Sequence, residues 1–169
     1  MFRVARKIGG RIAGKPLKEV WFAFPDLQAR SDVLEGQRID HLPPDRMRLV
    51  RGRRIGMVFQ DPLTSLNPLY TVGRQLVETI LTHQDLSESQ ARRHAIELLG
   101  EVGIPAPERR IDQYPHQFSG GMRQRVVIAL ALCVNPRMII ADEPTTALDV
   151  TIQAQIIKVL KRLCTEHGA

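Results

Sequence analysis

"RMIIADEPTTALD", residues 137–149, decides how the rest of the chain is read. A short apolar run ends abruptly in two carboxylates, the pattern of a buried parallel strand. Open α/β sheets bind ligands at the carboxyl ends of their strands, and Asp142 and Glu143 fall at such an end. In nucleotide hydrolases a first carboxylate so placed orders Mg²⁺, directly or through water. A second is placed to polarise an attacking water as general base. A strand ending in an acidic turn that caps the next helix explains the same letters equally well. Asp149, by default, is the N-cap of the next amphipathic segment, "LDVTIQAQIIKVLKRLCTEHG", which ends near Gly168.

Upstream lies "SGGMRQRVVIALALCVNP", which reads as a helix opening at Ser119 and closing before Pro136. Two glycines behind Ser119 leave backbone N–H groups unblocked at the positive end of the helix dipole, an arrangement suited to an anion such as phosphate. A plain serine cap with flexible glycines is the simpler account of that stretch alone. Further back, "RIGMVFQDP" is a short buried-strand pattern closed by Asp61-Pro62, with Gln60 at its end. Gln60 there is either a turn residue or an amide within reach of a metal or water.

Between these motifs the periodicity is helical. "TVGRQLVETILTH" puts Val72, Leu76, Ile80 and Leu81 on one face. "DLSESQARRHAIELLGEVGI" begins with Ser87 and Gln90 in capping-box register and stops at Gly103. A proline-rich connector, "IPAPERRIDQYPHQF", precedes Ser119. "HLPPDRMRLVRGRR" is a turn leading into a basic helical or extended stretch. The expected fold class is α/β, with residues 1–54 a poorly assigned basic segment and 55–169 the folded unit. Within it, about 70–118 is mostly helical, and 119–169 carries helix, strand and helix.

The bulk numbers agree with one ordinary globular domain: 169 residues, 43% hydrophobic and 25% charged. No apolar run approaches the roughly 18–20 residues needed to cross a bilayer. Cys133 and Cys164 form neither a metal spacing nor a disulfide framework, so a reducing cytosol is the expected setting. The net charge of +6 is uneven: residues 1–54 carry +7 and the remainder −1. A basic arm can attract nucleic acid. Without interleaved aromatics it reads instead as a solvated arginine-rich stretch, and no nucleic-acid partner is expected.

Order and spacing join the motifs. Gln60, then Ser119-Gly120-Gly121, then Asp142-Glu143, then Asp149 resembles the nucleotide-binding domain of ABC transporters, a P-loop NTPase core with a helical signature subdomain. The wording "GMVFQDPLTSLNPLYTVGRQL", "QYPHQFSGGMRQRVVIALAL" and "ADEPTTALDVTIQAQII" looks like the ATPase subunits of dipeptide, oligopeptide and nickel importers. The resemblance implies ATP and Mg²⁺ as cofactors. Gln60 would sense the metal and the attacking water, and its loop would contact a membrane subunit. Ser119, Gly120 and Gly121 would bind the γ-phosphate of ATP held by an opposing subunit. Asp142 would help hold Mg²⁺, Glu143 would be the catalytic base, and Asp149 would communicate across the dimer. The implied partners are a second ATPase subunit, integral membrane permease subunits and, indirectly, a periplasmic or surface solute-binding protein. The implied location is the cytoplasmic face of the membrane.

Two parts of the family pattern are not matched. The family's switch histidine is expected on a strand after the last helix. His167, in "TEHGA", reads as a surface residue at a helix end, and His116 as a packing or capping residue. The phosphate loop has one near-match, "GGRIAGKP", residues 9–16. Gly9, Gly14 and Lys15 have the internal spacing, but Pro16 replaces the Mg²⁺-binding hydroxyl and removes an N–H. The basic "MFRVARKI" before it is a poor buried strand, and Pro25 interrupts the segment after it. The expectation is a truncated or degenerate cassette, weakly active alone. Its alternatives are a non-catalytic partner subunit and a basic nucleic-acid-binding protein.

Overall fold

Strand β1, Ile55–Val58, pairs in parallel with β2, Met138–Ala141, with Ile55 opposite Met138 and Val58 opposite Ala141. The computed structural model describes residues 43–59, 61–142, 144–145 and 149–167. Seven helices accompany the two strands among these residues: α1 Pro44–Val50, α2 Pro62–Ser65, α3 Val72–His83, α4 Glu88–Glu101, α5 Pro107–Arg110, α6 Gly120–Leu132 and α7 Val150–Glu166. A 3₁₀ turn, Pro115–Gln117, leads into α6. The expected α/β order is present, and the stretch before β1, readable as helical or extended, is the helix α1.

Helix α6 is the centre of the molecule. Val126, Val127, Ile128, Ala129, Ala131 and Leu132 are all buried, so apolar residues surround it as expected of a core helix. Its last turn sits on β1 at Gly56, where a methyl group would collide with the Ala131 carbonyl oxygen. Only glycine lets the helix backbone approach the strand so closely. Around α6 pack Leu76 and Ile80 of α3, Leu98 and Leu99 of α4, Val58 of β1, and Ile156 and Leu163 of α7, each almost wholly removed from water. On α3 the apolar stripe is Val72, Leu76 and Ile80; Leu81, expected beside them, is 38% exposed. It lies one residue and about 100° past the buried line.

Helix ends obey local chemistry. Ser87 Oγ accepts from the Gln90 N–H and Gln90 Oε1 accepts from the Ser87 N–H, closing the expected capping box. Ser87→Ala is therefore expected to lower stability by about 1 kcal/mol in urea titration, and an unchanged midpoint would show the cap to be irrelevant. Gly103, at φ 82°, ends α4 in the left-handed conformation that glycine adopts freely. The Asp61 carboxylate caps α2 by accepting from the Leu63 N–H at 2.9 Å, so Asp61-Pro62 opens a short helix as well as closing β1. The connector is not structureless. Its Gln113 and Ile111 carbonyls accept from the Val72 and Gly73 N–H groups, satisfying two donors at the start of α3 that have no partner within the helix.

Candidate functional site

Strands β1 and β2 run parallel, so their carboxyl ends, Val58 and Ala141, lie side by side. There Asp142 continues the sheet, donating its N–H to the Val58 carbonyl at 2.9 Å. Ser119 caps α6: its hydroxyl accepts from the Met122 N–H and its carbonyl from the Arg123 N–H. The N–H groups of Gly120 and Gly121 come before any helix carbonyl that could accept them. Two backbone donors and the positive end of the helix dipole are thus presented at the start of α6.

Helix α7 starts beside the first turn of α6. Asp149 occupies its N-cap position and its carbonyl accepts from the Gln153 N–H, but the Asp149 side chain makes no capping bond. Expected as a side-chain cap, Asp149 instead leaves its carboxylate exposed. The first turns of α6 and α7 touch: a methyl on Gly121 would stand 2.9 Å from Ile152 Cγ2. One turn on, Arg125 reaches two ways, to the Val102 carbonyl at 2.6 Å and to Gln155 Oε1 at 3.2 Å. Burial holds its guanidinium below the usual arginine range. Between them Gln124 is 1% exposed, and its Nε2 has no hydrogen-bond partner.

Ser119, Gly120 and Gly121 are therefore found at the start of α6 beside the first turn of α7, Asp149 at the N-cap of α7, and Asp142 at the end of β2. Gln60, Glu143 and the near-match Gly9, Gly14 and Lys15 lie outside the described residues. Among the described residues no group of three or more His, Cys, Asp and Glu side chains is placed to hold a metal. Mg²⁺ is ordinarily held by one or two carboxylates plus phosphate oxygens and water. A single carboxylate such as Asp142 would suit a magnesium ion brought with phosphate oxygens and water, and would not cage one by itself.

The histidines are elsewhere. His116 stacks on Tyr114 with ring centroids 5.7 Å apart, the packing role expected of it. His167, expected as a surface residue at a helix end, lies at the C-cap of α7, half-buried and held 3.1 Å from Asn135 Oδ1 and 3.0 Å from Glu101 Oε2. Arg125 and Gln155 are not singled out by sequence, and Gly103 reads there only as a helix stop. The one signal for Arg125 is its place beside the apolar run of α6.

The family model for the ABC transporter matches residues 24–146. The chain belongs to the ABC transporter family. This ABC transporter chain is 56% identical over 140 residues to the oligopeptide transport ATP-binding protein OppD of Bacillus subtilis (strain 168), covering 82% of the chain and 39% of that protein. It is 56% identical over 128 residues to the dipeptide transport ATP-binding protein DppD of Escherichia coli (strain K12), covering 76% of the chain and 39% of the relative. It thus spans about two fifths of the length of these curated relatives. Among solved structures, the ATP-binding cassette MJ0796, a dimer in a post-hydrolysis state bound to ADP and Pi, superposes with a TM-score of 0.68 at 34% identity. That match covers 79% of this ABC chain and 57% of the cassette. The fold is that of a partial P-loop NTPase core. Among the described residues no helix is long and apolar enough to cross a membrane.

Proposed function

We propose that this chain is the ATP-binding and ATP-hydrolysing subunit of an ABC importer for peptides or nickel, present as a partial cassette at the cytoplasmic face of the membrane. The observations that support the reading are the glycine turn of α6 seated against the first turn of α7, and Asp142 extending the sheet past Val58 at the end of β2. Ser119, Gly120 and Gly121 would bind the γ-phosphate of ATP held by a second ATPase subunit. Asp142, with Gln60, would hold the Mg²⁺ that neutralises phosphate charge, Glu143 would serve as general base, and Asp149 would face the partner across the dimer. Phe59, Leu63, Leu69 and Tyr70 are large apolar side chains left exposed after β1. Gln75 holds their loop through the Asn67 and Tyr70 carbonyls, which supports a permease-facing role for that surface. A solute-binding protein would act upstream of the permease.

Turnover depends on a phosphate loop as well. Without its backbone amides and lysine the β- and γ-phosphates lose most of their fixed partners, and Asp142 and Glu143 repel phosphate unless Mg²⁺ intervenes. The purified chain should therefore bind MgATP weakly and release phosphate at the buffer rate, with Glu143→Gln indistinguishable from wild type. Turnover that Glu143→Gln abolishes would overturn the weakly active reading and leave the ATPase assignment standing. Mixed with a full-length homologue, a partial catalytic copy and a non-catalytic partner differ in the number of sites that hydrolyse ATP. That count decides between them.

A further inference from the structure

Helices α6 and α7 meet at two points one helical turn apart, and the second extends to α4. Gly121 lies against Ile152, so closely that a methyl group would have to displace the Ile152 side chain. Arg125, four residues on and therefore on the same face of α6, donates to Gln155 Oε1 on α7 and to the Val102 carbonyl at the end of α4. Room for that guanidinium exists because residue 103 is glycine: a Cβ there would stand 2.8 Å from Arg125 Nη1. Gly103 thus serves two needs, the left-handed turn that ends α4 and the passage for Arg125.

Farther along α7 the same α4 terminus is held twice more. Arg162 donates to the Glu101 carbonyl, and the His167 ring pairs with the Glu101 carboxylate. Three side chains, from α6, α7 and the residue capping α7, therefore converge on the last residues of α4: two donate to carbonyls that would otherwise have no helical donor, and the third pairs with a carboxylate.

We infer that Arg125 is a positioning residue that fastens the first turns of α7, and with them Asp149, to the end of α4 and the glycine turn of α6. A guanidinium is suited to this because its donors diverge in a fixed plane and can serve two acceptors on two helices at once; a lysine ammonium on a flexible stem offers no such fork. Displacement of the Ser119–Gly121 turn is then passed to α7 through two contacts instead of being absorbed by a sliding helix pair. What this does for ATP turnover rests on the proposed function. The mechanical coupling does not, and it is measured without nucleotide.

The test is native-state hydrogen exchange on the full chain, comparing wild type, Arg125→Lys, Arg125→Met and Gln155→Ala. In the wild type, amides of 152–158 and of 98–104 should exchange through one shared opening, with equal dependence on urea. Arg125→Met should raise exchange in 152–158 by about tenfold or more, the size expected when a hydrogen bond from a charged donor is lost, and should split the two segments into separate openings. Amides of 91–95 should stay at wild-type rates. Arg125→Lys should keep protection of 98–104 but not of 152–158. Gln155 is exposed, so Gln155→Ala leaves the fold intact and serves even if Arg125→Met unfolds; it should speed exchange in 152–158 alone. Wild-type rates throughout 152–158 in Gln155→Ala, or separate openings already in the wild type, would overturn the proposal. Neither result bears on whether the chain hydrolyses ATP.

Discussion

Gly56→Ala is expected to lower the unfolding free energy by about 3 kcal/mol, at the upper end of what one inserted methyl costs in a packed core. Gly56→Val should leave no cooperative transition. The added Cβ would strike the Ala131 carbonyl oxygen, and Ile139 Cδ1 would stand 2.6 Å away on the other side. Ile139 can rotate, but a backbone carbonyl in the last turn of the central helix cannot. Relief requires α6 to lift from β1, and α6 carries the largest share of the buried apolar residues. Domains of this size have only about 5–15 kcal/mol in hand, so such a lift is not survivable for a branched side chain. Urea titration followed by circular dichroism measures it, and a wild-type midpoint for Gly56→Ala would show that α6 is not seated on the strand.

The second large effect has opposite signs at one position. Gln124 is buried and its Nε2 lacks a partner, so the native state already bears the desolvation of that amide. Gln124→Met, close in volume and without the polar atoms, should be neutral or stabilise by about 1 kcal/mol. Gln124→Glu should destabilise by about 3 kcal/mol or more at neutral pH, because burial strips an ionised carboxylate of its hydration. Burial raises the folded-state pKa of the introduced carboxyl above the unfolded value of about 4.3. Stability then falls as pH rises from there through the folded value, and acidification should recover it. Thermal melts at pH 5 and pH 8 read this directly, and a Gln124→Glu protein equally stable at both would refute the buried-amide account.

Both effects come from contacts between distant parts of the chain, and that is where sequence reading stopped. Ser87 and Gln90 are three residues apart, so their capping box was legible in the letters, as was the glycine stop at residue 103. The two strands were legible from short apolar runs closed by acid and proline. Leu81 falls off the buried stripe because it follows Ile80 by one residue, about 100° round the helix, so the helical spacing that places Val72, Leu76 and Ile80 inside turns it outward. His167 was read as exposed because its partners, Glu101 and Asn135, lie 66 and 32 residues away. Arg125 looked like one more cation in "MRQR"; its bond to Val102 depends on Gly103 having no side chain, a condition no local pattern encodes. Of the candidate site, Ser119, Gly120, Gly121, Asp142 and Asp149 were named from spacing. That the glycine turn sits against the first turn of α7, beside Asp149, is a contact between segments some thirty residues apart that spacing does not encode.

The contact between Gly121 and Ile152 changes how mutations at that glycine are interpreted. Gly121 is the position an experimenter would choose to ask whether the turn grips a phosphate. Its missing methyl is also what lets two helices close on each other. A ligand-affinity defect in Gly121→Ala would therefore confound two causes, a blocked ligand and a pried-apart helix pair. Pairing it with Ile152→Ala separates them, since trimming Ile152 reopens the space without touching the turn. If affinity returns in the double variant, the glycine was serving the protein's own packing.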